Sequence, residues 1–280
     1  MRKILISLLI LSFLKPAISQ NVENYVNGTF LKMLNSDPSY TQLKEKVVAE
    51  YEHSQPGHWG EFVKGVDEDI VTKQKYIAFT FDACGGPHGD GYNKELIDLL
   101  RKEKVPATLF ITGRWIDENF ETFLNLSRDT LFEIENHGLN HKPCSIDGES
   151  EYGIHGTADV ADAFDEIEAN ARKIEALTKH EPRFYRSATA FIDEACARMA
   201  GQLGITAISF QVLSGDAVPH TPAVDIKENV LKNATPGAII IMHMNHPEWY
   251  TYEAMLKIIP ELRQIGYKFV RLNGFPLRAK

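Results

Sequence analysis

Six polar residues in this chain have the types and settings that hydrolytic chemistry uses: Asp82, His137, His141, Arg186, Asp216 and His243. The stretch "ENHGLNH" places His137 and His141 four residues apart. On a helical turn that spacing puts both imidazoles on one side, where they can share a metal, and neutral imidazoles suit Zn²⁺ and related divalent ions. Two unrelated loop histidines would give the same letters, so the pair needs support from its surroundings. Asn136 and Asn140 stand close enough to orient the ring nitrogens. Asp82 ends the apolar run "YIAFTF", and a carboxylate there can ligate a metal, act as a general base or simply brace a loop. His243 ends "AIIIMH" and is a candidate general acid. Arg186 and Asp216 are the natural charge partners, Arg186 for Asp82 and Asp216 for His243, and such partners set the pKa values that acid–base work needs.

These residues share a position in the pattern of elements. From Tyr76 onward apolar strands alternate with amphipathic helices. "YIAFTF", "ATLFIT", "LFEIEN", "RFYRS", "ITAISFQVL", "GAIIIMHM" and "YKFVRL" read as strands. Between them, "NKELIDLLRKEK", "DENFETFLNLSR", "DEACARMAGQLG", "PAVDIKENVLKNA" and "TYEAMLKIIPELRQIG" read as helices. "DVADAFDEIEANARKIEALT" reads as one long helix, with Val160, Phe164, Ile167, Ala171 and Ile174 on its apolar face. Repeated strand–helix units predict a parallel sheet covered by helices. About seven strands fit a closed or nearly closed (β/α) barrel, in which chemistry sits at the C-terminal strand ends. Each of the six residues falls at or just past such an end.

The chain as a whole sets the frame. Its 280 residues suffice for one large domain with a small extension. A net charge of −8, without a Lys/Arg cluster, argues against a nucleic-acid partner. The start "MRKILISLLILSFLKPAISQN" has basic residues, an apolar run and small residues at Ala17 and Ser19. That is the pattern of a secretory signal peptide over residues 1–19, leaving a mature protein that begins near Gln20. No segment is long and apolar enough for a membrane span. Residues 20–74 read as a helical and irregular extension, and 75–276 as the main domain. Cys84, Cys144 and Cys196 are the only cysteines, an odd count that in an oxidising compartment allows at most one disulfide.

The order of "FTFD", "PATLFITGRWI", "EIENHGLNH", "FYRS", "SGD" and "IIIMHM" resembles that of polysaccharide deacetylases with a NodB-homology domain, carbohydrate esterase family 4. The resemblance spans about Tyr76 to Leu272. It implies a distorted (β/α) barrel that hydrolyses acetyl groups on carbohydrate polymers, with one divalent metal, usually Zn²⁺, polarising the carbonyl and activating a water. By the same resemblance Asp82 is the general base, His137 and His141 are metal ligands, Arg186 holds the base and His243, tuned by Asp216, is the general acid. A backbone N–H at Thr189 is expected to help bind the oxyanion.

The chain also departs from that pattern. The family's T-F-D-D motif supplies a third metal ligand from its second Asp, and here Ala83 stands in that place. Three resolutions are open: Asp82 ligates the metal itself, His88 or Asp90 folds back from the glycine-rich loop, or the metal is lost and the protein only binds its sugar. Gly85, Gly86, Gly89 and Gly91 allow the tight turns the second option needs. Cys84 and Cys144 are expected near one another if their loops meet at the barrel mouth. A disulfide, a free thiol and a thiolate ligand to the metal are the choices for them. "RSATA" after Arg186 and Ala217 after Asp216 alter the groove, so a sugar platform is expected from Trp115, Trp249 or Tyr250.

The sequence therefore points to an exported, periplasmic or extracellular, metal-dependent carbohydrate deacetylase acting on an N-acetylated glycan. A non-catalytic glycan-binding module and a hydrolase of another non-peptide C–N bond are the alternatives.

Overall fold

The computed structural model describes residues 22–279 of the chain. The expected signal peptide lies outside the described residues. Among the described residues no helix is long and apolar enough to cross a membrane.

The central strand is β2 (Tyr76–Ala83), buried along its length apart from Tyr76. Alternation sends its side chains to two faces. Ile77, Phe79, Phe81 and Ala83 join the apolar core beneath the outer helices, together with Leu96, Ile97 and Ile258. Ala78 belongs instead to an inner cluster with Phe110, Phe184, Ile208 and Ile239. Thr80 and Asp82 therefore share the inner face with Ala78.

Around β2 a parallel sheet is built from β1 (Val66–Asp67), β3 (Ala107–Ile111), β4 (Phe132–Asn136), β5 (Phe184–Tyr185), β6 (Thr206–Ile208), β7 (Val212–Leu213) and β8 (Ile239–His243). Their order is β7-β8-β2-β3-β4-β5-β6-β1, with β9 (Lys268–Phe269) also paired to β2. Every pairing in this sheet is parallel. The distorted (β/α) barrel expected from the strand pattern is thus present as a half-barrel. The register sets His243 beside Asp82, so acid and base candidates come from adjacent strand ends.

Three features differ from the sequence pattern. "ITAISFQVL" divides into the two short strands β6 and β7, with Phe210 buried between them. The long helix after Asp159 runs through Asp165–Ala169 as a π-helical stretch before resuming at Asn170–Thr178. The wider turn buries Glu166, which an unbroken α-helix would not have predicted. Finally, the segment before residue 75 is woven into the domain. β1 extends the main sheet, and Asp69–Ile70 pairs with Leu277–Arg278. Phe30, Tyr40 and Val47, from helices Asn27–Leu34 and Pro38–Tyr51, lie in a core shared with Phe164 and Tyr185.

Candidate active site

Asp82 and Arg186 form a buried pair on the inner face. Arg186 Nη1 donates to Asp82 Oδ1 at 2.7 Å and to Thr80 Oγ1 at 2.9 Å, while Nη2 donates to the Ser209 carbonyl at 2.9 Å. The guanidinium also lies 4.2 Å from the ring centre of Phe110. Such a setting fixes the carboxylate in direction and keeps a counter-charge on it.

His243 and Asp216 form the second pair. The Nδ1–H of His243 donates to Asp216 Oδ1 at 3.0 Å. Asp216 also accepts from the His243 backbone N–H at 2.7 Å, from Ser214 Oγ at 3.0 Å and from Thr251 Oγ1 at 3.0 Å. Burial alone would lower the pKa of His243, but the charge and hydrogen bond of Asp216, together with the Cys84 sulfur, outweigh it and hold the imidazole well above its ordinary value. With Nδ1 committed to the carboxylate, Nε2 is left to carry a transferable proton.

Between these pairs lies a cluster of three donors. Cys84 Sγ, His137 and His141 each offer a ligand atom, all within 4.8 Å of one another. His137 Nδ1 is 2.8 Å from the Arg186 carbonyl, which only accepts, so Nδ1 carries the proton and Nε2 presents its lone pair. That Nε2 is 3.8 Å from Cys84 Sγ and 3.8 Å from Asp82 Oδ2. The Nδ1 of His141 is buried and has no hydrogen-bond partner. An orphaned buried nitrogen, a neighbour whose tautomer is fixed by a carbonyl, and a thiol form a donor set of the kind that holds a divalent cation. Burial alone would raise the Cys84 thiol. Its contacts with His141, His137 and His243 more than reverse this and hold it well below the ordinary value.

The glycine-rich loop after β2 is what sets Cys84 in place. The Cys84 carbonyl accepts from Thr112 Oγ1 at 2.8 Å and Arg114 Nε at 2.9 Å. Gly85 and Gly86 then turn through φ values of +70° and +90°, where a side chain would be strained. A Cβ on Gly85 would lie 2.7 Å from the Trp115 nitrogen, so the turn is pressed against the next helix. The candidates named from this loop have other tasks: His88 is exposed, and Asp90 Oδ1 accepts from the Gly86 N–H at 2.6 Å. Neither joins the donor cluster. Cys84 is not bonded to Cys144. All three cysteines are free, and Cys144 is buried beside Cys196 in the core under the extension.

The other assigned positions divide. Trp115 is fully buried and donates through Nε1 to the Gly91 carbonyl at 2.9 Å, so it braces the loop and offers no face to a sugar. Trp249 does reach the mouth: its ring stacks on His246 at 3.7 Å and meets His243 edge-on at 5.5 Å. A cleft of about 260 Å³ beside it is walled by Asp216, His220, Trp249 and Tyr250. Thr189 has φ +61° and Ala190 likewise, an uncommon backbone next to the Arg186 strand end. Asn136 does not orient an imidazole; its Oδ1 accepts from Gly138 N and its Nδ2 donates to the Ile167 carbonyl.

Glu166 was not singled out by the sequence. Its carboxylate accepts from the backbone N–H groups of Asn140 and Lys142, at 3.0 and 2.9 Å, and so grips the loop that carries His141. Gly138 is needed beneath it, since a Cβ there would lie 2.3 Å from Glu166 Oε1. Burial is the main cause that raises the Glu166 pKa to about 7. A sequence signal existed in Gly138 between the two histidines, but its partner was hidden by the π-helical stretch.

A family model described as Polysaccharide deacetylase matches residues 69–208, half of the chain. The chain belongs to the polysaccharide deacetylase family. A curated relative, peptidoglycan-N-acetylglucosamine deacetylase of Bacillus cereus, is 28% identical over 207 residues, covering 73% of this chain and 90% of its own length. Among solved structures, a carbohydrate esterase family 4 pseudoenzyme from Bacillus anthracis superposes with a TM-score of 0.63. It is 22% identical and the match covers 74% of this chain and 67% of that one. A family 4 acetyl xylan esterase from Clostridium thermocellum, solved in complex with a cobalt ion, gives a TM-score of 0.58 at 24% identity. That match covers 71% of this chain and 89% of that one. These likenesses confirm the (β/α) fold expected from the strand pattern.

Proposed function

We propose that this chain is an exported, metal-dependent hydrolase that removes N-acetyl groups from a carbohydrate polymer. The observation that carries the reading is the meeting, at one barrel mouth, of a fixed carboxylate, an imidazole held by a second carboxylate and a three-donor cluster. Asp82 takes the proton as water adds to the acetyl carbonyl carbon, and Arg186 keeps the carboxylate aimed. His243 then gives its Nε2 proton to the sugar nitrogen as the C–N bond breaks, and acetate and the free amine are the products. Asp216 holds His243 in the tautomer and charge state that this requires. His137 and His141 would hold the cation, with Cys84 as the third donor within reach. When bound, a divalent ion such as Zn²⁺ supplies Lewis acidity toward the carbonyl and the water. The backbone N–H near Thr189 would help bind the oxyanion, and Trp249 would serve as a platform for a sugar ring. Export is supported by the leader pattern and by the peptidoglycan substrate of the Bacillus cereus relative.

The test is acetate release from N-acetylated peptidoglycan and chitin oligomers by the zinc-loaded protein, beside His137→Ala/His141→Ala. Release by the native protein and none by the variant is expected. A second reading, a glycan-binding module, is favoured by one feature, Ala83 in place of a carboxylate, and by the existence of a pseudoenzyme among the structural neighbours. Glycan retention without acetate release would put that reading first.

A further inference from the structure

We propose that Cys84 is a metal ligand through its sulfur, so that the centre is a Cys/His/His site selective for borderline-soft cations such as Zn²⁺ and Co²⁺ over Mg²⁺ and Mn²⁺. The inference rests on the reading above that the site holds a cation, and it names the donor that decides which one. Position 83 cannot supply it, because alanine has no donor atom, and Ala83 belongs to the apolar cluster that includes Ile111 and Trp115. The next residue turns back toward the inner face. Its sulfur lies within 4.8 Å of the ligand atoms of both histidines.

Three observations make the sulfur a built part of the site. Its own backbone carbonyl is pinned by Thr112 and Arg114. The Gly85–Gly86 turn is pressed against Trp115, which leaves the loop little room to withdraw the thiol. And two of the nearby oxygens are engaged, Asp82 Oδ1 by Arg186 and Asp90 Oδ1 by Gly86, which leaves Asp82 Oδ2, 3.8 Å from His137 Nε2, as the one competing oxygen donor. A thiolate with two imidazoles is a soft-leaning donor set. Hard ions that prefer oxygen ligands and near-octahedral water shells gain little from it.

The test uses the full mature chain and two readouts other than activity. First, cobalt titration is followed by absorption. A near-ultraviolet sulfur-to-cobalt charge-transfer band that saturates at about one equivalent is expected. Cys84→Ser should lose that band, and Cys84→Asp should bind without it while admitting Mn²⁺. Second, alkylation of the native protein reads Cys84, since Cys144 and Cys196 are buried. Zn²⁺ should slow that reaction at least about tenfold, and Mg²⁺ should not. This second readout needs no variant and so survives a substitution that fails to fold. Stoichiometric cobalt uptake without the charge-transfer band, together with alkylation indifferent to Zn²⁺, would overturn the inference and leave the metal-dependent reading standing. No uptake by the native protein would overturn both.

Discussion

The two carboxylate pairs and the donor cluster occupy the same mouth, yet they are finished to different degrees. Asp216 accepts four hydrogen bonds, and Asp82 is locked to an arginine that is itself fully buried. A few ångströms away, His141 Nδ1 is buried with nothing to bond. A satisfied buried carboxylate is held in place, whereas an unpaired buried nitrogen costs stability. The two carboxylate pairs are therefore complete in the bare chain, and the donor cluster is the part left open.

That contrast can be broken most sharply at Asp82. Asp82→Asn should lower kcat for acetate release by about 10²–10⁴-fold. Its zinc stoichiometry should stay unchanged, measured by metal analysis after dialysis. Loss of zinc as well would make Asp82 part of the cation site. Next in size, Arg186→Met leaves Asp82 charged and unpaired in the interior, which should cost about 3–5 kcal/mol in chemical denaturation. Asp216→Asn removes the charge that holds the His243 pKa up, so the imidazole should deprotonate at lower pH. The alkaline limb of the kcat/KM profile then moves down in pH, and a profile that keeps its alkaline limb would remove His243 from the acid role.

Glu166 gives a smaller and slower pH effect. Its carboxyl is raised to about 7 in the fold, from an ordinary value of 4.5, mainly by burial. The native state thus retains a proton that the unfolded chain gives up. The stability this confers is fully present below pH 4.5 and is lost as pH rises through about 7. The stability difference between the native chain and Glu166→Gln should shift against the native chain over that window, by up to about 3 kcal/mol. A difference that is flat with pH would show that Glu166 grips the His141 loop without this cost. Smallest of all, Trp249→Ala should raise KM for oligomeric substrates several-fold, about 1 kcal/mol, with kcat little altered.

How much of this was legible in the letters differs between the same two regions. Asp82, His137, Arg186 and His243 stand where regular strands end, and period-two apolar runs are easy to read. Cys84 was visible only as one of several choices. The apolar pattern stops at Phe81, and the direction of the next side chains depends on the Gly85–Gly86 turn, which is set by packing against Trp115 far along the chain. The missing carboxylate drew attention to His88 and Asp90, one of which is exposed and the other spent on loop bracing. Glu166 was hidden because a π-helical stretch rotates the buried face, and one inserted residue per turn leaves no mark in composition. Trp115 illustrates the opposite error: a tryptophan beside a motif reads as a platform, but its indole N–H has a buried carbonyl to satisfy.

The woven N-terminal segment bears on the order in which the mouth can form. Asn27 Nδ2 donates to the Leu139 carbonyl at 2.8 Å, between the two histidines, and its Oδ1 accepts from Lys173 Nζ at 2.7 Å. β1 in turn finds its partner, β6, only after most of the sheet has been synthesised. These early segments are thus among the last to reach their partners. Closure of the histidine loop belongs to a late, long-range step in assembly, and the local strand–helix units can form well before the chain is able to hold a cation.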